Sequence, residues 1–80
     1  MNDEHYIRLA IAQAAQAEAL GEVPIGALIV VKGEIIAAAH NRTITEHDPA
    51  AHAEILALRA AGQTLANHRL GGATLYVALE

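Results

Sequence analysis

Ala27-Leu28-Ile29-Val30-Val31-Lys32-Gly33-Glu34-Ile35-Ile36-Ala37-Ala38-Ala39 decides the fold. Two short apolar runs, Ala27 to Val31 and Ile35 to Ala39, flank a turn that contains glycine. That pattern predicts a β-hairpin buried on both faces. Such a hairpin needs cover on each side, and the flanking sequence supplies helices. Upstream, Tyr6 to Leu20 has helix-forming composition, with Ile7, Ala10, Ile11, Ala14 and Ala17 at helical spacing. Gly21 stops this helix and Pro24 marks an extended entry to the first strand. Downstream, His40 to His47 is polar and turn-like. Asp48-Pro49 then reads as a helix N-cap followed by proline at the first helical position. Ala51, Ile55, Leu58 and Ala61 are expected to face a core before Gly62 ends this second helix. Gln63 to Gly72 connects it to a third strand, Ala73 to Leu79. The order helix, strand, strand, helix, strand is that of an α/β layered sheet.

Composition limits how stable such a layer can be. Eighty residues make one small domain at most, and an apolar fraction of 54% excludes a disordered chain or acidic tail. Of the apolar residues, 19 are alanine and only 21 are Ile, Leu or Val, with no Phe or Trp. An alanine-rich interior removes less apolar surface from water per residue, so marginal stability or reliance on a further segment is expected. The formal charge of −4 and the absence of any basic block argue against a sequence-independent grip on phosphates. Without cysteine this stretch has neither disulfides nor thiolate metal ligands. The acidic start, Met1-Asn2-Asp3-Glu4, is unlike a signal peptide, and no apolar run approaches about 18 residues. A soluble cytoplasmic protein with no membrane partner is the expectation.

The sharpest chemical feature is His52-Ala53-Glu54 in the first turns of the second helix. An imidazole can hold zinc while a nearby carboxylate moves protons for attacking water. Alone the pair is a weak signal, since about 0.4 such pairs arise by chance in a chain of this composition. Two unrelated polar residues on a helix surface would look the same. Asn41 alone likewise reads as a turn residue after a strand. His5, His40, His47 and His68 read as solvated or structural, because nothing spaces them with His52 for tetrahedral ligation. Arg42, Arg59 and Arg69 are scattered and read as solvated charges or minor phosphate contacts.

Four longer stretches change the weight of the pair: Gly21-Glu22-Val23-Pro24-Ile25-Gly26-Ala27, His40-Asn41-Arg42, Asp48-Pro49-Ala50-Ala51-His52-Ala53-Glu54-Ile55, and Thr74-Leu75-Tyr76-Val77-Ala78-Leu79-Glu80. In this order and spacing the chain resembles the zinc-dependent nucleobase deaminases, most nearly their bacterial tRNA adenosine deaminase branch. The resemblance implies a three-layer α/β/α cytidine-deaminase-like fold, here in truncated form. It implies His52 as a zinc ligand and Glu54 as the general acid/base. It also implies Asn41 as the reader of the target base, Ile25 as part of the pocket wall, and the Ala53 N–H as a donor to the base. The cofactor implied is Zn2+, the substrate the wobble adenosine of a tRNA anticodon loop, and the assembly a homodimer.

Ala50 and Ala78 depart from a common threonine. In the family, the glutamate matching Glu80 is followed at once by Pro-Cys-x-x-Cys, whose thiolates complete the zinc site. Residues 1–80 are therefore expected to be the N-terminal part of a single deaminase domain, ending before that motif and inactive alone. A guanine or other free-base deaminase shares much of the pattern, though Glu22-Val23-Pro24-Ile25-Gly26 leans to the tRNA enzyme. A non-enzymatic truncated product is the reading from a different class.

Overall fold

The computed structural model describes residues 2–67 and 69–79. Five elements follow in order: α1 (Asp3–Ala19), β1 (Ile25–Val31), β2 (Glu34–His40), α2 (Ala53–Leu65) and β3 (Ala73–Leu79). The expected α/β fold is present. The strands form one sheet in the order β2-β1-β3, with β1 antiparallel to both neighbours. Lys32 and Gly33 both take positive φ, 50° and 78°, so the hairpin turn twists in the sense of its strands. Gly33 meets that requirement without a side-chain penalty, and its carbonyl accepts the Tyr6 hydroxyl at 3.2 Å.

Alternation along β1 sorts its side chains between two helices. Leu28 and Val30 pack with Tyr6 and Ala10 of α1. Ala27 and Ile29 pack on the opposite face with Ala53, Ala57 and Ala61 of α2. Both helices thus dock through alanine seams. At Gly26 the approach of α1 is so close that a Cβ would lie 2.1 Å from the Ala10 carbonyl oxygen and 2.6 Å from the Ala14 amide nitrogen. Only glycine admits that contact.

The buried faces differ from the expected ones in three places. On α1 the buried line is Tyr6, Ala10, Ala14 and Ala17, while Ile11 is 40% exposed. On α2 the seam is Ala53, Ala57 and Ala61, and Leu58 turns outward. In both helices the close dock selects the smallest side chains for the interface and turns larger ones aside. The hairpin is not buried on both faces either, since β2 is an edge strand with Ile35 and Ala38 exposed. Its register against β1 shifts between Ile29 and Val30, which pair with Ala37 and Ile35. The extra residue, Ile36, forms a β-bulge and joins Ala37 and Ala39 against the α2 core.

Gly62 does not end α2. An interior glycine costs about 1 kcal/mol relative to alanine, too little to stop a helix whose Ala53, Ala57 and Ala61 seam is buried against the sheet. Termination comes at Ala66, in the left-handed conformation, with the Asn67 N–H bonded to the Gly62 carbonyl. β3 spans the expected residues, but α2 lies mainly over β1 and β2. Leu75, Val77 and Leu79 on that side of β3 remain 42%, 43% and 71% exposed. Among the described residues the outer edge of β3 has no strand partner. No described helix is long and apolar enough to cross a membrane.

Two predictions follow from α1. Gly26→Ala is expected to destabilise the fold by about 3 kcal/mol through overpacking against backbone, read as a lower urea midpoint. At the N-terminus of α1, Asp3 accepts the Tyr76 hydroxyl at 2.5 Å. That hydrogen bond, then partial burial, then the charge of Asp3 and nearby Tyr6, push the Tyr76 hydroxyl from 10.0 up to about 12. A raised folded value favours the folded state while the phenol is protonated. The contribution is complete below pH 10 and is lost as pH rises toward 12. Phenolate absorbance should therefore report a tyrosine titrating near 12, and Asp3→Asn should bring it down.

Candidate active site

Four of the five residues singled out above converge on the start of α2 and the β2 end that feeds it. The helix begins at Ala53, with His52 as the N-cap residue in extended conformation and no side-chain bond from it. The expected start at Asp48-Pro49 is therefore corrected. The Asp48 carboxylate accepts the Ala50 N–H at 2.9 Å and its carbonyl accepts the Ala51 N–H at 3.1 Å. Those bonds close a tight turn, which competes with helix at an aspartate. The chain leaves the turn extended, and the Ala51 carbonyl accepts the Arg42 N–H at 2.9 Å. Residues 42–51 thus form a loop whose two ends touch.

The cap comes from outside the helix. Asn41, 2% exposed, accepts the Ala53 N–H through Oδ1 at 2.8 Å. Because an amide N–H must face an acceptor, the oxygen of the carboxamide points at the helix and its NH2 points away. The Asn41 N–H in turn donates to the Ile25 carbonyl at 3.1 Å. Ile25, half-buried at the first position of β1, is thereby tied to Asn41, and Asn41 to α2. The Ala53 N–H, which the resemblance gives to the base, is here bonded to Asn41.

His52 is exposed and Glu54 half-buried, one on either side of the buried Ala53. The positive end of a helix favours the Glu54 carboxylate and opposes a cation at His52. No cluster of three His, Cys, Asp or Glu able to hold a metal exists among the described residues, and the sequence has no cysteine. One imidazole is not a catalytic zinc site, which needs three protein ligands. The described residues do not fit the metal by themselves. Of two surface cavities, one of about 470 Å³ lies at the C-terminal end of α2 and one of about 430 Å³ lies between Gln13 and Gln16 of α1, the end of β2, Arg42, Glu46 and Leu56, and neither includes His52 or Glu54.

The remaining candidates fall elsewhere. His5 packs edge-on to Tyr6, His40 is nearly buried with Nδ1 3.0 Å from the Asn41 carbonyl oxygen, and His47 is exposed. His68 and Glu80 lie outside the described residues. Arg42 pairs with Glu46 at 2.6 Å.

Sequence reasoning missed Glu22. It is 4% exposed, and its carboxylate accepts the Ile44 N–H at 3.1 Å, the Thr45 N–H at 2.6 Å and the Thr45 hydroxyl at 2.5 Å. Burial opposes its ionisation. Hydrogen bonds from the Thr45 hydroxyl, the Thr45 and Ile44 amides and the Thr43 side chain outweigh that and hold its carboxyl below the usual value. Glu22 lies within one of the family stretches, but its position between a helix-stopping glycine and an apolar strand entry gave it no individual role.

A sheet covered by a helix on each face thus carries a buried asparagine that caps a His-Ala-Glu helix start. The chain belongs to the cytidine and deoxycytidylate deaminase family, whose zinc-binding region matches residues 1–80. A tRNA-specific adenosine deaminase of Bacillus subtilis (strain 168) is 55% identical over 78 residues, which are 98% of this chain and 48% of that protein. Another from Aquifex aeolicus (strain VF5) is 46% identical over 80 residues, 100% of this chain and 53% of that one. A solved structure from work on A-to-I editing by tRNA:A34 deaminases matches with a TM-score of 0.90 and 45% identity, over 94% of this chain and 58% of that one. Guanine deaminase from Bacillus subtilis matches with a TM-score of 0.91 and 38% identity, over 96% and 50%. The chain spans about half the length of the curated relatives it matches.

Asn41→Ala removes the acceptor and leaves the Ala53 N–H buried without a partner. It is expected to cost about 2 kcal/mol, with faster amide exchange confined first to the opening turn of α2. Asn41→Asp keeps an acceptor and should lose less.

Proposed function

We propose that these residues are the N-terminal part of a single hydrolytic deaminase domain that converts the wobble adenosine of a tRNA anticodon loop to inosine. The observation that carries this reading is the hydrogen-bonded unit Ile25–Asn41–Ala53, which sets Asn41, His52 and Glu54 at one helix start. The 55% identity with a tRNA-specific adenosine deaminase supports the choice of substrate. In this reading the Asn41 NH2, free to turn away from the helix, hydrogen-bonds the extruded base, and Ile25 packs on its face. Ala53 N–H contributes to the base only where Asn41 Oδ1 shares or releases it.

Deamination adds water across the C6–N6 bond and expels ammonia. Glu54 is assigned the proton traffic: it takes a proton from the attacking water and delivers one to the leaving amine. His52 is assigned as one metal ligand of the family's zinc region. No further ligand stands with His52 among the described residues, so the chain alone is expected to be inactive. A homodimer and a cytoplasmic setting complete the proposal, on the likeness to tRNA enzymes. With a formal charge of −4 the basic surface for RNA must also come from elsewhere.

The fold likeness to guanine deaminase favours a second reading, a free-base deaminase. One experiment separates them. Residues 1–80 are joined to the segment of the Bacillus subtilis tRNA deaminase that they do not match, and the chimera is given an anticodon stem-loop or guanine. Inosine is expected from the stem-loop, with Glu54→Gln slowing its formation at least about 100-fold while RNA binding persists. A folded chimera that consumes guanine and leaves the stem-loop intact would establish the second reading.

A further inference from the structure

We propose that Glu22 is a positioning residue: its carboxylate clamps the 42–51 loop and, through that loop, fixes Asn41 and His52 at its two ends. The clamp deepens the reading above, on which the importance of those two ends rests. Glu22 sits in the connection between α1 and β1, where its own N–H donates to the Ala17 carbonyl at 2.9 Å. The carboxylate is therefore mounted on a helix end rather than on a free loop. It receives two backbone amides and a hydroxyl from Ile44 and Thr45, 22 and 23 residues along the chain.

Three donors converging on one buried group need an acceptor-only partner, and an ionised carboxylate is the side chain that offers it. At the base of the loop the Arg42 N–H is tied to the Ala51 carbonyl, and inside it the Asp48 N–H is tied to the Thr43 carbonyl at 3.1 Å. With its base closed and its near side pinned, the loop has little freedom to swing. Asn41 immediately precedes it and His52 immediately follows it. A tilt of the loop would move the carboxamide that caps Ala53 and the imidazole beside it together. No other charge shares the task. Arg42 pairs with Glu46, Asp48 accepts from Ala50, and no hydrogen bond among the described residues joins His47 to Glu22.

Glu22→Gln tests the clamp, because a carboxamide turns one of its two acceptors into a donor facing other donors. Nitrogen-15 spectra of the protein at neutral pH should show the Ile44 and Thr45 amides exchanging at least about tenfold faster in the variant. The Ala53 amide and the Asn41 side-chain NH2 resonances should shift with them. If the variant does not fold, the parent protein carries the same test. On acidification the Ile44 and Thr45 amides should follow the Glu22 carboxyl, and the Ala53 and Asn41 signals should show a step at that same midpoint, distinct from steps due to His40, His52 and Glu54 beside them. Unchanged Ile44 and Thr45 protection would overturn the proposal, as would changes confined to the loop while Ala53 and Asn41 stay fixed. No substrate enters these readings, so a failure of the deaminase assignment would show separately, in the chimera.

Discussion

One hydrogen bond, from the buried Ala53 N–H to Asn41 Oδ1, fixes where α2 starts relative to the end of the hairpin. The first amides of a helix lack internal partners and are usually capped from the preceding residue. Here that residue is His52, and its side chain makes no cap bond. A distant asparagine does the capping, and the imidazole is left available. Asn41 is itself held by Ile25, the first residue of the central strand. The start of α2 is thus referenced to the sheet, and Glu22 ties the intervening loop to the end of α1. The geometry of this helix start rests on that short chain of polar contacts more than on the core.

The core explains why polar contacts matter so much. Alanine seams bring both helices close to β1, and at Gly26 backbone meets backbone. Close packing gives definite geometry, but small side chains remove little apolar surface from water. Leu75, Val77 and Leu79 leave a large share of the apolar surface exposed on β3. Precision in this fold comes from contact distance and hydrogen bonds rather than from bulk hydrophobicity.

Local signals in the sequence account for what was legible. Lys32-Gly33 between two apolar runs located the hairpin, and Ala73 to Leu79 the third strand, because turn chemistry and apolar runs act over a few residues. His52, Glu54 and Asn41 stood out only through the resemblance to a deaminase family, since each alone matches an ordinary polar surface or turn residue. The non-local arrangements were not. The start of α2 is set by Asn41, 12 residues upstream, so Asp48-Pro49 looked like the cap. The Ile36 bulge reassigns faces along β2 without any residue type to announce it. Ile11 and Leu58 matched a helical stripe by hydropathy, yet the close dock selected alanines. Glu22 gained its role only from amides more than 20 residues away.

On the proposed reading these residues supply the base-reading and proton-moving parts of a deaminase site and one metal ligand. The most direct measurement is zinc per chain by elemental analysis of the 80-residue protein after dialysis against a weak chelator. A value near zero is expected, because a lone imidazole at a helix N-terminus neither completes nor electrostatically favours a zinc site. A value near one zinc per chain would overturn that reading and require ligands that the described residues do not bring together.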